Sequence, residues 1–407
     1  MDYHVLLDLV TGLGYRLGIC GAETYRIEES VNRIMKAYGI PAEAFAIPNC
    51  LHVSIETADG QPLTRMRRIP HHGSDMDSVE KYSNLSRRIC AETPDPNVAM
   101  QWLTDTDKSL RTYTLPIYLL GNFLGACGFS ILFGGSLTDA LWSGLCGLLI
   151  GLVNHCMERL KANNFFKIIT SAFLAGCLAH IINALGLCTN ADGIIIGALM
   201  ILVPGWLFTN ALRDIIYGDT NSGINRIVQV FLIAVAIALG TAAAWNLIFS
   251  IMGAPTSAIE FSHPLWFEAI ACFLACCGFS ILFNVHGPGG LLCAAGGTLA
   301  WLCYRVSMHI GCSDILAYLL STALVAFYAE VMARVRKYPA ITYLVISLFP
   351  LIPGAGIYYA MCFAVQGEMS SFVDKLGHTA AIAGSMAVGI LIVSTCFKLL
   401  SNRLIKK

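Results

Sequence analysis

The chain has 407 residues, of which 56% are hydrophobic and only 13% charged, and its formal net charge is zero. This composition excludes an ordinary soluble globular protein and gives no support for nucleic-acid binding, which needs a basic surface. About half of the 26 Lys and Arg lie within residues 1–111, so the chain divides into a polar head and an apolar body. Most of its cysteines lie inside apolar runs as small polarizable packing groups, and Cys276-Cys277 lacks the second ligand cluster of a metal site.

In chain order, residues 4–38 read as one long helix with an apolar face of Leu6, Leu7, Val10, Leu13 and Leu17, continuing through Ile27, Val31, Ile34 and Met35. It stops at Gly39 and Pro41. The first apolar stretch, Val5 to Val10, is interrupted by Asp8 and follows no basic region, so no signal peptide is expected. Gly12-Leu13-Gly14-Tyr15-Arg16-Leu17-Gly18 has no strand before it, which rejects a nucleotide loop. Strands are expected at Phe45–Ile47, Leu51–Glu56 and Leu63–Ile69, then helices over Asp75–Cys90 and Asn97–Lys108. Residues 1–112 thus form a small α+β head. His52, Glu56, His71, His72, Asp75 and Asp77 are acid–base or metal-ligand types, but no zinc-hydrolase signature or nucleophile elbow accompanies them. Arg65-Met66-Arg67-Arg68, with Arg87, Arg88 and Arg111, suits anionic headgroups or a cytoplasmic mouth.

Beyond the head, ten stretches have the apolar length that crosses a bilayer core. They run 114–134, 138–157, 166–187, 193–212, 226–250, 264–284, 288–309, 313–333, 341–364 and 379–400. Cys127-Gly128-Phe129-Ser130-Ile131-Leu132-Phe133 recurs letter for letter as Cys277-Gly278-Phe279-Ser280-Ile281-Leu282-Phe283, 150 residues on. Val203-Pro204-Gly205 is echoed by Ile352-Pro353-Gly354 at an offset of 149. These landmarks fall in the first and fourth span of each set of five. Five is odd, so the second unit enters the membrane from the opposite side, as in inverted-repeat transporters. The expected architecture is a polytopic α-helical membrane protein with a 5+5 inverted repeat. Its units are 113–250 and 264–400, with a basic tail at 401–407.

With both termini in the cytoplasm, the cytoplasmic loops and tail hold Arg159, Lys161, Lys167, Arg213, Arg226, Arg334, Arg336, Lys337, Lys398, Arg403, Lys406 and Lys407. The opposite side holds only Arg305 and Lys375, so Lys and Arg fix the orientation. Gly121, Gly125 and Gly128, like Gly144, Gly147 and Gly151, recur at helical spacing and suit close helix packing.

Pro204-Gly205 and Pro353-Gly354 each lie mid-span, where proline removes a donor and glycine loosens the ladder. Paired breaks in corresponding spans point to a midplane site whose half-helix amino ends attract a carboxylate. Thr209 and Asn210 follow the first break, and Tyr358 and Tyr359 follow the second. The ionisable groups inside spans are His155, His180, Glu268, Arg305 and Glu330, of which His180 and Glu330 lead as proton-coupling candidates. Asp139 reads as a helix cap. Asn210, Arg213, Asp214, Gly218, Asp219, Ser222, Gly223 and Arg226 form the richest polar cluster, a turn held by ion pairs that suits a gate formed by Arg213, Asp214, Asp219 and Arg226.

Gly21-Ala22-Glu23-Thr24-Tyr25-Arg26-Ile27-Glu28 resembles the "G-A-x-T-x-R-[VI]-E" signature of the threonine/serine exporter family, with Gly21, Thr24, Arg26 and Glu28 on its fixed positions. Pro204-Gly205, Asn210, Asp214, Gly218-Asp219, Ser222-Gly223 and Arg226 resemble that family's second signature. The resemblance covers essentially the whole chain in the form that fuses a head and two five-span units. It implies export of threonine or serine driven by the proton-motive force, and its split relatives export the dicarboxylate succinate. The expectation is therefore a bacterial inner-membrane proton antiporter for a small carboxylate-bearing metabolite, either amino acid or dicarboxylate. It needs no cofactor or metal, binds no nucleic acid and leaves homo-oligomerisation open. No Walker motif is present, so ATP does not drive it directly. The rival is a membrane-anchored hydrolase acting through the head.

Overall fold

The computed structural model describes residues 2–252, 261–336 and 338–405. Lys337, Lys406 and Lys407, which enter the charge asymmetry above, lie outside the described residues. The chain divides into two compact units.

The first unit runs to Tyr113 and includes Phe283–Val285. It opens with α1 (Tyr3–Cys20) and α2 (Thr24–Ala37), so the single helix expected over 4–38 is two. Gly21 ends α1 in the left-handed region at φ +94°, and a Cβ there would lie 2.2 Å from the carbonyl oxygen of Gly73. Only glycine fits that corner. Strands β1 (Ala42–Ile47), β2 (Cys50–Glu56) and β3 (Pro62–Arg68) form an antiparallel sheet in sequence order. Helices α3 (Met76–Glu92) and α4 (Pro96–Ser109) follow. The core joins Leu6, Leu9, Leu13 and Leu17 to Ile27, Val31, Ile34, Leu51, Val53 and Ile69, all essentially inaccessible. Gly14 and Gly18 let α1 press onto the sheet: Cβ atoms there would lie 2.5 Å from Leu51 and 2.7 Å from Ile69. That contact explains the glycine string as packing. Asn284 Nδ2 donates to Asp75 Oδ1 at 2.8 Å and to the Arg111 carbonyl at 2.7 Å, and Tyr113 donates to the Val285 carbonyl at 3.0 Å.

The second unit is all helical. Its helices are α5 (Leu115–Leu132), α6 (Leu137–Arg159), α7 (Asn164–Ala184), α8 (Ala191–Leu199), α9 (Gly205–Tyr217) and α10 (Thr220–Met252). They are followed by α11 (Leu265–Leu282), α12 (Pro288–His309), α13 (Asp314–Arg336), α14 (Ala340–Leu348), α15 (Gly354–Gln366) and α16 (Met369–Ile405). Eight described helices are long and apolar enough to cross a membrane, and α14 and α15 make a ninth candidate bent by 52°. The fourth expected span, 193–212, is divided between the short helices α8 and α9. Asp139 is a cap as expected: it and Ser136 form a capping box, and it also accepts from the Thr189 N–H at 2.9 Å.

The twice-occurring heptapeptide lies where α5 and α11 cross. A Cβ on Gly121 would lie 3.0 Å from the Gly278 carbonyl oxygen, and one on Gly128 would lie 2.4 Å from that of Ala271. The pairing of 121 with 278 and of 128 with 271 runs the two helices antiparallel. Phe129 and Phe279, identical positions of the two copies, meet edge to face with ring centroids 5.5 Å apart. Without a hydrophobic drive between helices in lipid, such glycine contacts supply the packing.

Candidate functional site

Both Pro-Gly pairs break a helix, and they do so in the same way. Pro204 precedes α9 at φ −83°, ψ 42°, and Pro353 precedes α15 at φ −76°, ψ 50°. Before Pro353 the chain tightens into a 3₁₀ turn, Phe349–Leu351. Each half-helix that starts at a break ends on a left-handed glycine, Gly218 at φ +94° and Gly367 at φ +82°.

The breaks face each other. A Cβ on Gly354 would lie 2.7 Å from Val203 Cγ1 and 3.1 Å from Met200 Sδ. Tyr358, one turn into α15, packs on the first-half core that includes Ile168, Ala172, Ile194 and Ala198 and extends to Ile201, Leu202 and Val203. A second core joins Phe208, Val230, Ala234 and Ala238 to Ile357, Met361 and Ala383, tying α9 and α10 to α15 and α16. Met200 and Val203 carry no polar signal in sequence, so their place between the breaks was not readable from it.

The polar cluster after the first break is buried. Thr209 is 0% exposed, Asn210 3%, Asp214 7% and Arg213 8%. Arg226 Nε lies 3.0 Å from Asp214 Oδ2, and Arg213 Nη2 lies 4.0 Å from Asp214 Oδ1. An ion pair this far from water carries a large desolvation cost and tolerates no loss of one partner. Asn210 Oδ1 and Ser222 Oγ are buried without a hydrogen-bond partner among the described residues. Gly223 permits the crossing of α9 and α10, since a Cβ there would lie 2.3 Å from Ile215 Cγ1. Asp219 accepts from the Ser222 N–H at 3.3 Å and so caps α10.

His180 and Glu330 have other neighbours. The His180 ring on α7 meets Trp245 of α10 edge to face at 5.1 Å. Glu330 pairs with Arg334 one turn on, and Arg334 lies 4.4 Å over the Phe397 ring. Sequence reasoning passed over a Tyr304, Asp314 and His378 group: Tyr304 donates to Asp314 Oδ1 at 3.0 Å and His378 Nε2 lies 3.1 Å from Oδ2. Its members are scattered over α12, α13 and α16, and nothing in their spacing signals the meeting.

In the head, Thr24 begins α2 and is 3% exposed. Glu28 Oε1 accepts the Ala46 N–H at 2.8 Å, which fastens β1 to α2. Arg26 Nε is buried without a hydrogen-bond partner among the described residues. With Gly21 at the corner, this motif holds the head together. Three of the six acid–base candidates of the hydrolase reading have structural partners: His72 Nδ1 donates to the Gly18 carbonyl at 2.8 Å, Asp75 caps α3 and Asp77 pairs with Lys81 at 2.7 Å. In the basic stretch, Arg65 pairs with Asp8 and Arg67 lies 4.8 Å over the Tyr15 ring.

Apolar helices in this number, broken opposite one another beside a buried charged cluster, define a multi-pass α-helical membrane protein of the transporter class. A family model described as "Putative threonine/serine exporter" matches residues 8–248, and a second described as "Threonine/Serine exporter, ThrE" matches residues 268–396. The chain belongs to the threonine/serine exporter family. A Corynebacterium glutamicum protein named "Threonine/serine exporter" is 21% identical over 403 residues, covering 95% of this chain and 81% of its own length. A "Probable threonine/serine exporter" of Mycobacterium tuberculosis is 20% identical, covering 96% of this chain and 76% of its own length. The Klebsiella aerogenes "Probable succinate transporter subunit YjjP" is 24% identical over 234 residues, 56% of this chain and 88% of its own length. No solved structure matches the chain.

Proposed function

We propose that this protein is a secondary active exporter of threonine and serine that works by proton antiport. Its helices act as two inverted five-span repeats, 113–250 and 264–400, in the bacterial inner membrane. The head, 1–112, and the tail, 401–407, lie in the cytoplasm. The observation that carries the reading is the meeting of the two helix breaks, Gly354 against Val203, in a chain whose two halves both match exporter family models. The amino ends of α9 and α15 start at those breaks. Each presents free N–H groups and the positive end of a helix dipole, together suited to one carboxylate. Pro204, Gly205, Thr209, Asn210, Pro353, Gly354 and Tyr358 surround that position. Arg213, Asp214, Asp219 and Arg226 then close the cytoplasmic path; His180 and Glu330 are the coupling candidates that the sequence offers. The antiparallel contact of α5 with α11 supports the inverted repeat, because equivalent residues touch only near a two-fold axis.

Uptake of labelled threonine, serine and succinate into inside-out vesicles, with and without a proton gradient, tests this reading. Gradient-dependent accumulation of threonine or serine is the expected result. Accumulation unchanged after collapse of the gradient would remove proton coupling. Succinate accumulation in place of the amino acids would favour the dicarboxylate reading, which the similarity to the succinate transporter subunit supports.

A further inference from the structure

The offset of 150 residues that relates the two heptapeptides also relates α5 and α6 to α11 and α12 in their packing. A Cβ on Gly147 would lie 2.6 Å from the Asn122 carbonyl oxygen, and at the matching place Cys272 Sγ donates to the Gly297 carbonyl at 3.5 Å. By the same offset Tyr118 and His155 stand where Glu268 and Arg305 stand. In the second half that place is a closed ion pair. Arg305 Nη2 donates to Glu268 Oε1 at 3.0 Å, Arg305 Nε lies 2.9 Å from Oε2, and Trp301 Nε1 donates to Oε2 at 2.9 Å. The first half replaces it with a phenol and an imidazole, which are not locked by opposite charge.

The first-half place is also unfinished. His155 Nε2 and Asn122 Oδ1 are both buried, and neither has a hydrogen-bond partner among the described residues. Asn122 is fully buried, and its Nδ2 donates to the Tyr118 carbonyl at 2.8 Å. Its amide lies against α6: Nδ2 would be 2.8 Å from a Cβ on Gly151, one turn before His155. The other charged or titratable groups facing this turn are few. From α7 comes Lys167, whose Nζ is 3.0 Å from Glu158 Oε1, and α6 itself adds Glu158 and Arg159. Ser171 of α7 donates to Asn154 Oδ1 at 3.0 Å and is neutral. α8 meets α6 at Ser143, about three turns away.

We infer that His155 is the proton-binding group of the transport cycle, in place of His180 or Glu330. The inference rests on the proton-antiport reading. Imidazole accepts one proton at its free ring nitrogen and releases it again within the pH range of a living cell. An incoming proton would be held on His155 while the carrier returns and be released to the cytoplasm before the next substrate binds.

The test uses the full-length protein in liposomes and whichever of labelled threonine, serine or succinate the wild type accumulates. His155→Gln keeps polarity and bulk but does not titrate. It should lose gradient-driven accumulation roughly tenfold or more, while substrate exchange without a gradient falls far less. The dependence of exchange on pH between about 5 and 8 should flatten in the same variant. Asn122→Asp, which places a carboxylate against α6 one turn before His155, should move the wild-type pH profile to the alkaline side. A wild type with no gradient dependence removes the antiport reading and this inference with it. A gradient-dependent wild type beside His155→Gln with equal accumulation and an unchanged pH profile overturns the inference alone. Joint loss of accumulation and exchange in His155→Gln, with an unshifted profile in Asn122→Asp, makes the residue structural and overturns it as well.

Discussion

The crossing of α5 and α11 gives a graded test of the fold. A Cβ added at Gly278 would lie 2.6 Å from the Gly121 carbonyl oxygen and 2.6 Å from the Gly125 nitrogen. Ordinary contact begins at 3.4 Å, so the shortfall is about 0.8 Å, and both neighbours are backbone atoms that no rotamer change can move. The two helices must separate or shear, at a cost near the upper end of the ~1–3 kcal/mol of overpacked cores. At Gly125 the added carbon would meet only the Phe279 ring edge, at 3.2 Å, and a small ring tilt relieves it. Gly125→Ala should therefore cost about 1 kcal/mol or less. A Cβ at Gly384, within α16, would meet nothing within 4 Å, and Gly384→Ala gains helix propensity, up to ~1 kcal/mol. Thermal unfolding in one detergent should rank the variants Gly278→Ala, Gly125→Ala, wild type, Gly384→Ala from least to most stable. Gly278→Ala melting with the wild type would refute the close crossing and the antiparallel contact that supports the inverted repeat.

Replacing Pro204 by Ala and Gly205 by Leu should leave insertion intact yet lower flux roughly tenfold, by restoring a continuous helix ladder through the break. Normal flux in vesicles carrying that double variant would remove the broken-helix site. Asp214→Asn leaves the Arg226 guanidinium buried without its carboxylate and should lower stability by ~3–5 kcal/mol, with part recovered when Arg226→Gln is added. Equal melting of the single and double variants would show that the pair does not couple. In the head, burial raises the pKa of the Asp107 carboxyl. Bonds from Arg16, at 2.7 and 2.6 Å, and from Tyr82, at 2.7 Å, outweigh that and hold it below the usual carboxylate range. A depressed pKa adds stability that is present above the ordinary carboxylate value and lost as pH falls through the folded one. Asp107→Asn should thus cost ~1–2 kcal/mol near neutral pH and weaken the head's acid sensitivity below about pH 4, read by amide exchange in the full chain. Equal protection of wild type and variant at every pH would refute the assignment.

The apolar runs were legible because a bilayer demands length and hydropathy, which composition records directly. All three strands were found to within a few residues, because their alternation and turn residues are local. The corner at Gly21 was not legible. The apolar face continues from Leu17 to Ile27 across it, and the left-handed turn is imposed by the approach of Gly73, a contact made through tertiary structure. The breaks at Pro204 and Pro353 could be read, but their opposition through Met200 and Val203 could not, because apolar side chains do not announce which neighbour they meet. His180 and Glu330 drew notice as charges in apolar surroundings. Their neighbours, Trp245 and Arg334, follow from packing and from helical spacing that only the fold brings into use. The ion pair of Glu268 and Arg305 joins residues 37 apart on successive helices, beyond the reach of any local pattern.

On the proposed two-fold relation, the two halves part company just past the breaks. An offset of 149 places Phe363 opposite Asp214 and Lys375 opposite Arg226, so the buried ion pair of the first half has no second copy. Lys375 instead lies 5.8 Å over the Tyr359 ring, which stands at the position equivalent to Asn210. Residues that touch their own equivalents lie near the axis, and Val203 beside Gly354 is two positions from that condition. The amino ends of α9 and α15 then start close to a single axis, where their dipoles reinforce each other on one anion and would repel a cation. If the proposed carboxylate site lies on that axis, the asymmetric polar flank beside it has a chemical consequence. The flank beyond the first break, with the open oxygens of Asn210 and Ser222, can satisfy a donor such as an ammonium or hydroxyl group. The corresponding positions in the second half hold Tyr359, which lies under Lys375, and Ser371, whose hydroxyl donates to Glu368 at 3.2 Å. Threonine and serine carry a carboxylate, an ammonium and a hydroxyl, and so match one end to the axis and the other to the first-half flank. A dicarboxylate would leave those acceptors facing a second anion, and this mismatch is the physical reason to rank the amino acids first.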